Sequence, residues 1–284
     1  MNYALHIIIM ACITTPVVLG LNLVLGRGKI LHFGSVGVSV FAAYATFLTL
    51  QATQNYILAS LAGLLAALLI SALFAWLALR LDGDAFGILS IAMHLSIIAV
   101  VLNWTALTRG TLGLPRIPRM PGLETLPMFT VAMLLVAGLY AYAMVRIDRG
   151  KLGRSLAALA ENRFHAESLG INRVSVTFKA FLIAGIGAFL SNLFFPQYIG
   201  LLHPNDYLFQ VLVFDIMCVV AGGPGSVLGV TLATFLLTIL QECIRFLPLP
   251  FSVVGPLRLL MFGIILLVAV YVRRETVFPK PRTI

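Results

Sequence analysis

The chain alternates long apolar runs with short polar intervals, and the runs set its architecture. They cover Leu5–Leu25, Phe33–Leu50, Ile57–Leu79, Ala85–Leu102, Met128–Val145, Phe178–Phe195, Leu208–Val220, Val227–Leu240 and Leu257–Val272. A helix rises 1.5 Å per residue, so about 20 apolar residues cross the roughly 30 Å hydrocarbon core of a bilayer. Most runs approach that length, and the shorter ones suit half-helices. The pattern predicts an all-α, polytopic integral membrane protein with about nine transmembrane helices, eight to ten in all, forming one transmembrane domain over residues 1–284. The first run lacks a preceding basic segment and is too long for a cleaved leader, so it is expected to be a retained span.

The polar intervals orient this array. Fourteen of the nineteen Lys/Arg residues fall in 26–31, 80–85, 146–179 and the tail from 272, which alternate to one side. The remaining five, Arg109, Arg116, Arg119, Arg245 and Arg258, fall on the other side. Positive charge collects in cytoplasmic loops. The expected topology therefore has the N-terminus outside and the C-terminus cytoplasmic. Tyr3, Tyr56, Trp104, Tyr198 and Tyr207 then fall at the outer interface, where amphipathic rings settle. The outer interval 103–127 is punctuated by Pro and Gly and cannot cross lipid as a helix.

The interval 146–179 is the longest polar stretch, with seven Lys/Arg and three acids. Its middle predicts an amphipathic helix from Ser155 as N-cap to Gly170 as C-terminal glycine. Leu156, Leu159, Ala160 and Phe164 form the apolar stripe, and Arg163 and Glu167 can pair across one turn. Such a helix is either a docking surface for a soluble partner or a solvated connector.

Two glycine-rich stretches, Phe33–Ser39 and Ala221–Thr231, break the apolar runs in similar order. Interrupted segments at matching places in two halves point to a transporter binding site. On that reading Gly34, Ser35, Gly37, Gly222, Gly223, Gly225 and Ser226 line a pore or substrate path. The other reading is close helix packing: Gly225, Gly229 and Ala233, like Ala180, Ala184 and Ala188, form ridges of small residues. Asp215 and His94 are ionisable groups inside apolar runs, with Glu242 near a run's end. A charge at the bilayer centre costs at least about 2.5–3.5 kcal/mol, so Asp215 must face protein or water. It is a pore-lining or gating group, or else a carboxyl satisfied by a neighbouring helix or kept protonated, and His94 is a pore group or a hydrogen-bonded contact.

Composition narrows the function. The chain is 61% hydrophobic and 10% charged, against about 25% charged in soluble domains. Its net charge of +9 resides in short loops and the tail, so topology accounts for it better than nucleic acid does. Three cysteines in or beside apolar runs supply neither a disulfide framework nor a metal spacing. The five histidines are scattered, so no enzyme constellation is in view, and no cofactor is expected on this chain. Gly28-Lys29 precedes Ile30 and Gly150-Lys151 precedes Leu152, so neither is a nucleotide-binding loop.

Several segments resemble one family. Gly153-Arg154-Ser155-Leu156-Ala157-Ala158-Leu159-Ala160-Glu161-Asn162 and Ala166-Glu167-Ser168-Leu169-Gly170 are similar to the coupling loop of permeases in bacterial branched-chain amino acid ABC importers, the LivH/LivM family, on its LivM side. Leu79–Phe86, Leu102–Thr108 with Gly113–Pro118, and Ala221–Ser226 resemble further elements of that family in the same order. The resemblance implies an inner-membrane permease subunit working by alternating access, and a set of partners. These are a second, LivH-like permease, two ATPase subunits that bind ATP and magnesium, and a periplasmic substrate-binding protein. It implies that Gly153, Arg154, Glu161, Asn162, Ala166, Glu167 and Gly170 contact the ATPase, and the apolar stripe adds Leu156, Leu159 and Phe164 to that surface. Two departures stand out: Ala158 and Ala160 where relatives often carry arginine, and Ser35 where they carry histidine. The cargo implied is a branched-chain or other hydrophobic amino acid, or a small polar solute such as urea or an amide. A secondary transporter coupling ions through Asp215 and His94 is the alternative.

Overall fold

Asparagines start three of the helices, each by accepting hydrogen bonds from the first free backbone amides. Asn55 caps at Ile57 and Leu58, Asn162 at His165, and Asn172 at Ser175. The computed structural model describes residues 2–243 and part of the segment 260–271. Its helices are α1 (Asn2–Leu21), α2 (Ser35–Thr53), α3 (Tyr56–Arg80), α4 (Gly83–Asn103), the single turn α5 (Thr105–Thr108), α6 (Leu126–Arg149), α7 (Lys151–Glu161), α8 (Arg163–Ser168), α9 (Arg173–Ile199), α10 (Phe209–Gly222) and α11 (Val227–Cys243).

Among the described residues, seven helical segments are long and apolar enough to cross a membrane, and α11 is a shorter apolar helix. The protein is thus an all-α, multi-pass membrane protein. The ninth expected run, 257–272, falls largely outside the described residues, as do Arg245, Arg258 and the basic tail.

The central helix is α1, whose residues Ile9, Ala11, Val18 and Leu19 are fully enclosed. It continues into a π-helical turn, Asn22–Arg27, and packs against α6, α9, α10 and α11. Its approach to α9 is close: a Cβ on Gly20 would lie 2.9 Å from the Ala184 backbone. The small-residue ridge of α9 therefore packs helices, as its spacing indicates. By contrast α3, α4 and α6 expose rows of Leu, Ile and Val, including Leu61, Leu65, Leu69, Ile88, Leu135 and Leu139, the faces a bilayer would cover.

The bundle has two distinct ends. One carries α7 and α8 and is called the basic end here. The other carries the 104–125 loop, which is more ordered than its Pro/Gly content suggests. Leu114–Pro115 (β1) pairs antiparallel with Leu201–Leu202 (β2), with Leu114 opposite Leu202. Tyr56 donates to the Pro118 carbonyl at 2.6 Å, and Gln197 Oε1 accepts from Met120 N–H at 2.9 Å. This is the hairpin end.

The interval 146–179 departs from expectation. Ser155 does not cap a helix, because α7 begins four residues earlier after Gly150, and Asn162 divides the amphipathic segment in two. Gly170 does close α8, at φ +83°: its amide donates to Glu167 and that of Ile171 to Ala166. The Arg163–Glu167 pair forms at 3.2 Å.

Candidate functional site

The first apolar run contains Pro16, and the site begins there. Proline breaks the helical ladder, and the freed groups must be satisfied elsewhere. Next to the proline, Val17 N–H donates to Ser191 Oγ of α9 at 3.1 Å. Beside this proline, between α1, α2, α9, α10 and the far end of α11, lies a cavity of about 640 Å³. Its apolar wall includes Ile13, Val17, Val36, Phe195 and Phe214, and its polar wall Thr14, Ser39, Asn192, Gln210 and Gln241. It lies toward the hairpin end, where the turn Asn205–Tyr207 lines it. Volumes of 300–1,000 Å³ with an apolar lining and a few polar groups are typical of small-molecule sites.

Asp215, at the middle of α10, lines this cavity, is 1% exposed, and neither carboxyl oxygen has a hydrogen-bond partner. The hydroxyl of Tyr207 is likewise buried and unpartnered on the cavity wall. The carboxyl is therefore not satisfied by a neighbouring helix, one of the structural readings the sequence allowed. Tyr207 corrects a further expectation. Its ring turns inward, edge-on to Phe195 with centroids 6.5 Å apart, rather than lying at an interface.

The other candidates divide. His94 is buried with both ring nitrogens unpartnered, but it lies against Gly37 of α2 and is not among the cavity-lining residues. The structure does not bring it together with Asp215 in one site. Ser35 lines a separate small void with His32 and Ser71, while Gly34 gives way to the Phe74 ring. His32 sits among Phe74, Phe86 and Phe181, and burial pushes its pKa down to about 3. Gly222, Gly223, Gly225 and Ser226 build the tight α10–α11 turn at the basic end, with Ser226 Oγ accepting from Gly229 N–H. There the backbone of Gly222 leaves no room for a Cβ on Gly229, so these glycines pack rather than line the cavity.

That turn is fastened to α1. The buried Asn22 side chain accepts from Gly225 N–H at 2.8 Å. Below it, Arg27 pairs with Asp148 of α6 at 3.0 Å, and Leu156 of α7, 1% exposed, packs on Gly28. Helix α7 thus rests on the same π-helical turn that holds the α10 hairpin, and Gly153 permits its close approach to Asp148. Leu159 is half-buried and shares a small groove with Arg163, and Ala166 is buried. Arg154 and Asn162 are exposed, Arg154 donating to the Arg149 carbonyl at 2.6 Å. Phe164 of α8 and Leu169 just after it, at 79% and 73% exposed, are the large apolar groups presented outward there.

Sequence reasoning missed Pro16, Ser39, Ser191, Asn192 and Asn22. A proline and an asparagine inside the first apolar run were the available signals.

A multi-pass membrane protein with a mainly apolar chamber carrying a few polar groups, and with a surface helix pair tied to its central helix, has the form of a transport permease. The chain belongs to the family described as branched-chain amino acid transport system / permease component, which matches residues 3–270. It is 30% identical over 258 residues to the high-affinity branched-chain amino acid transport system permease protein LivM of Escherichia coli (strain K12), covering 80% of this chain and 60% of LivM. The Salmonella typhimurium LivM gives the same figures. The autoinducer 2 import system permease protein LsrC of Photorhabdus laumondii is 26% identical over 253 residues, covering 86% and 72%. The chain thus spans about 60% of the length of its LivM relatives. No solved structure matches it significantly.

Proposed function

We propose that this chain is one permease subunit of an ABC importer in the inner membrane, carrying a hydrophobic amino acid or a related small solute. It pairs with a second permease and two ATPase subunits, receives cargo from an extracytoplasmic binding protein, and holds no nucleotide itself. The basic end faces the cytoplasm. The observation that carries this reading is the seat of α7: Leu156 is locked onto Gly28, while α8 directs Phe164 and Leu169 away from the chain. A partner gripping α8 would move α7, then the π-helical turn, then the α10 hairpin through Asn22. Displacement of the cytoplasmic partner thereby reaches the chamber wall. Ion-coupled secondary transport has less support, because His94 lies apart from the chamber that Asp215 lines.

The test is reconstitution of the permease pair with its ATPases in liposomes. Uptake should require ATP, and cargo-loaded binding protein should raise ATP hydrolysis. Uptake driven by an ion gradient without ATPase subunits would replace this reading with the secondary-transporter one.

A further inference from the structure

The chamber is unbalanced in charge. Its lining contains two carboxyl groups, Asp206 and Asp215, and among the described lining residues no Lys, Arg or His. Asp206 sits at the rim on the Pro204–Tyr207 turn, half-buried. Asp215 lies deeper, enclosed and without a donor. An ionised carboxyl held this way in a membrane span carries a large desolvation cost, which is met either by taking up a proton or by a donor supplied in the chamber. The wall around it is otherwise made for a small amphiphile. Val17 and Phe214 offer apolar contact, and Asn192 and Ser39 offer neutral hydrogen-bonding groups.

Resting on the permease reading above, we propose that Asp215 is the specificity-determining group of this chamber. It takes a positively charged or N–H-donating nitrogen of the cargo, an ammonium or an amide, and Asp206 reinforces the selection at the rim. The cargo class is a small nitrogenous solute with a compact apolar body. Among the described lining residues nothing balances a carboxylate, so simple organic anions are rejected here. In the ionised state that a bound ammonium favours, Coulomb attraction for a cation and repulsion of an anion act together, and both strengthen in the low-dielectric interior of the bundle.

Thiol labelling tests this without ATP and without knowing the cargo. In the intact transporter complex, Cys12, Cys218 and Cys243 are replaced and Ser39→Cys places one reporter thiol on the chamber wall. Labelling rates are compared for cationic aminoethyl and anionic sulfonatoethyl methanethiosulfonate, each normalised to a free thiol. The cation should react faster by about tenfold or more, a preference that Asp215→Glu retains and Asp215→Asn reduces several-fold. Millimolar isopentylamine should slow the labelling, whereas 4-methylpentanoate should not. A preference for the anionic reagent, a ratio indifferent to Asp215→Asn, an unreactive Ser39→Cys thiol, or protection by the acid alone would each overturn the proposal. None of these outcomes touches ATP dependence, so the importer reading stands or falls separately.

Discussion

Gly222 and Gly229 face each other across the α10–α11 turn, and neither can be enlarged. A Cβ on Gly229 would meet the Gly222 carbonyl, so Gly229→Val must force the two helices apart. Overpacking of this kind costs about 1–3 kcal/mol, and the expected result is a lower thermal midpoint in detergent with a smaller folded yield. His32 makes a prediction about pH. Its folded pKa of about 3 lies below the ordinary 6.5, so the unfolded chain binds the proton more readily between those values. Stability attached to His32 is complete above pH 6.5 and falls as pH is lowered, by about 2 kcal/mol at pH 5. Denaturation midpoints at pH 7 and pH 5 should therefore converge in His32→Phe relative to the parent chain. An unchanged pH difference would assign the acid sensitivity to other groups.

The two loop helices separate roles that one amphipathic stripe had joined. Leu156 is fully enclosed by its own chain, so Leu156→Asp buries a charge and should destabilise the permease itself, by about 3 kcal/mol or more. Phe164 projects outward, and Phe164→Asp should leave stability within about 0.5 kcal/mol. If α8 docks on an ATPase, that variant loses an apolar anchor of about 2 kcal/mol or more, and the ATPase should no longer co-purify. Thermal melts and co-purification run on both variants check this: a stable Phe164→Asp protein retaining its ATPase would make α8 a solvated connector. The π-helical turn that receives α7 is a further element with a consequence. Asn22→Ala removes the acceptor for Gly225 N–H and should impair transport more than ATPase attachment, because it cuts the link above the docking surface.

At the scale of the molecule, α6 runs from the loop at the hairpin end to α7 at the basic end, so these loops lie at opposite ends of a 24-residue helix. A reporter inserted within 110–121 should appear outside the cell, and one within 169–172 should appear in the cytoplasm. Both on one side would contradict a spanning α6, and an exchange of sides would reverse the orientation drawn from basic residues.

Hydrophobic run length determined the class of protein, because an apolar stretch of some 20 residues has few places to be other than lipid. Most helix boundaries followed within a few residues for the same reason, whereas the caps in the interval 146–179 are Asn162 and Asn172 rather than the expected Ser155. The family was also legible, from ordered segments such as Gly153–Asn162 and Ala221–Ser226. The chamber was not. It depends on Ser39, Ser191, Asn192, Tyr207 and Asp215 meeting beside Pro16, and these residues lie on four helices and a turn with no shared spacing. Asp215 was visible as a costly group, but whether a neighbour satisfied it depended on which side chains α10 met. The glycines illustrate the reverse case. Their pattern resembled a pore, and only the approach of Gly222 to Gly229 and of Gly34 to Phe74 made them packing contacts. Periodicity and length are properties of one segment and survive in the sequence, whereas cavities and unsatisfied groups belong to several segments at once and exist only after these have packed.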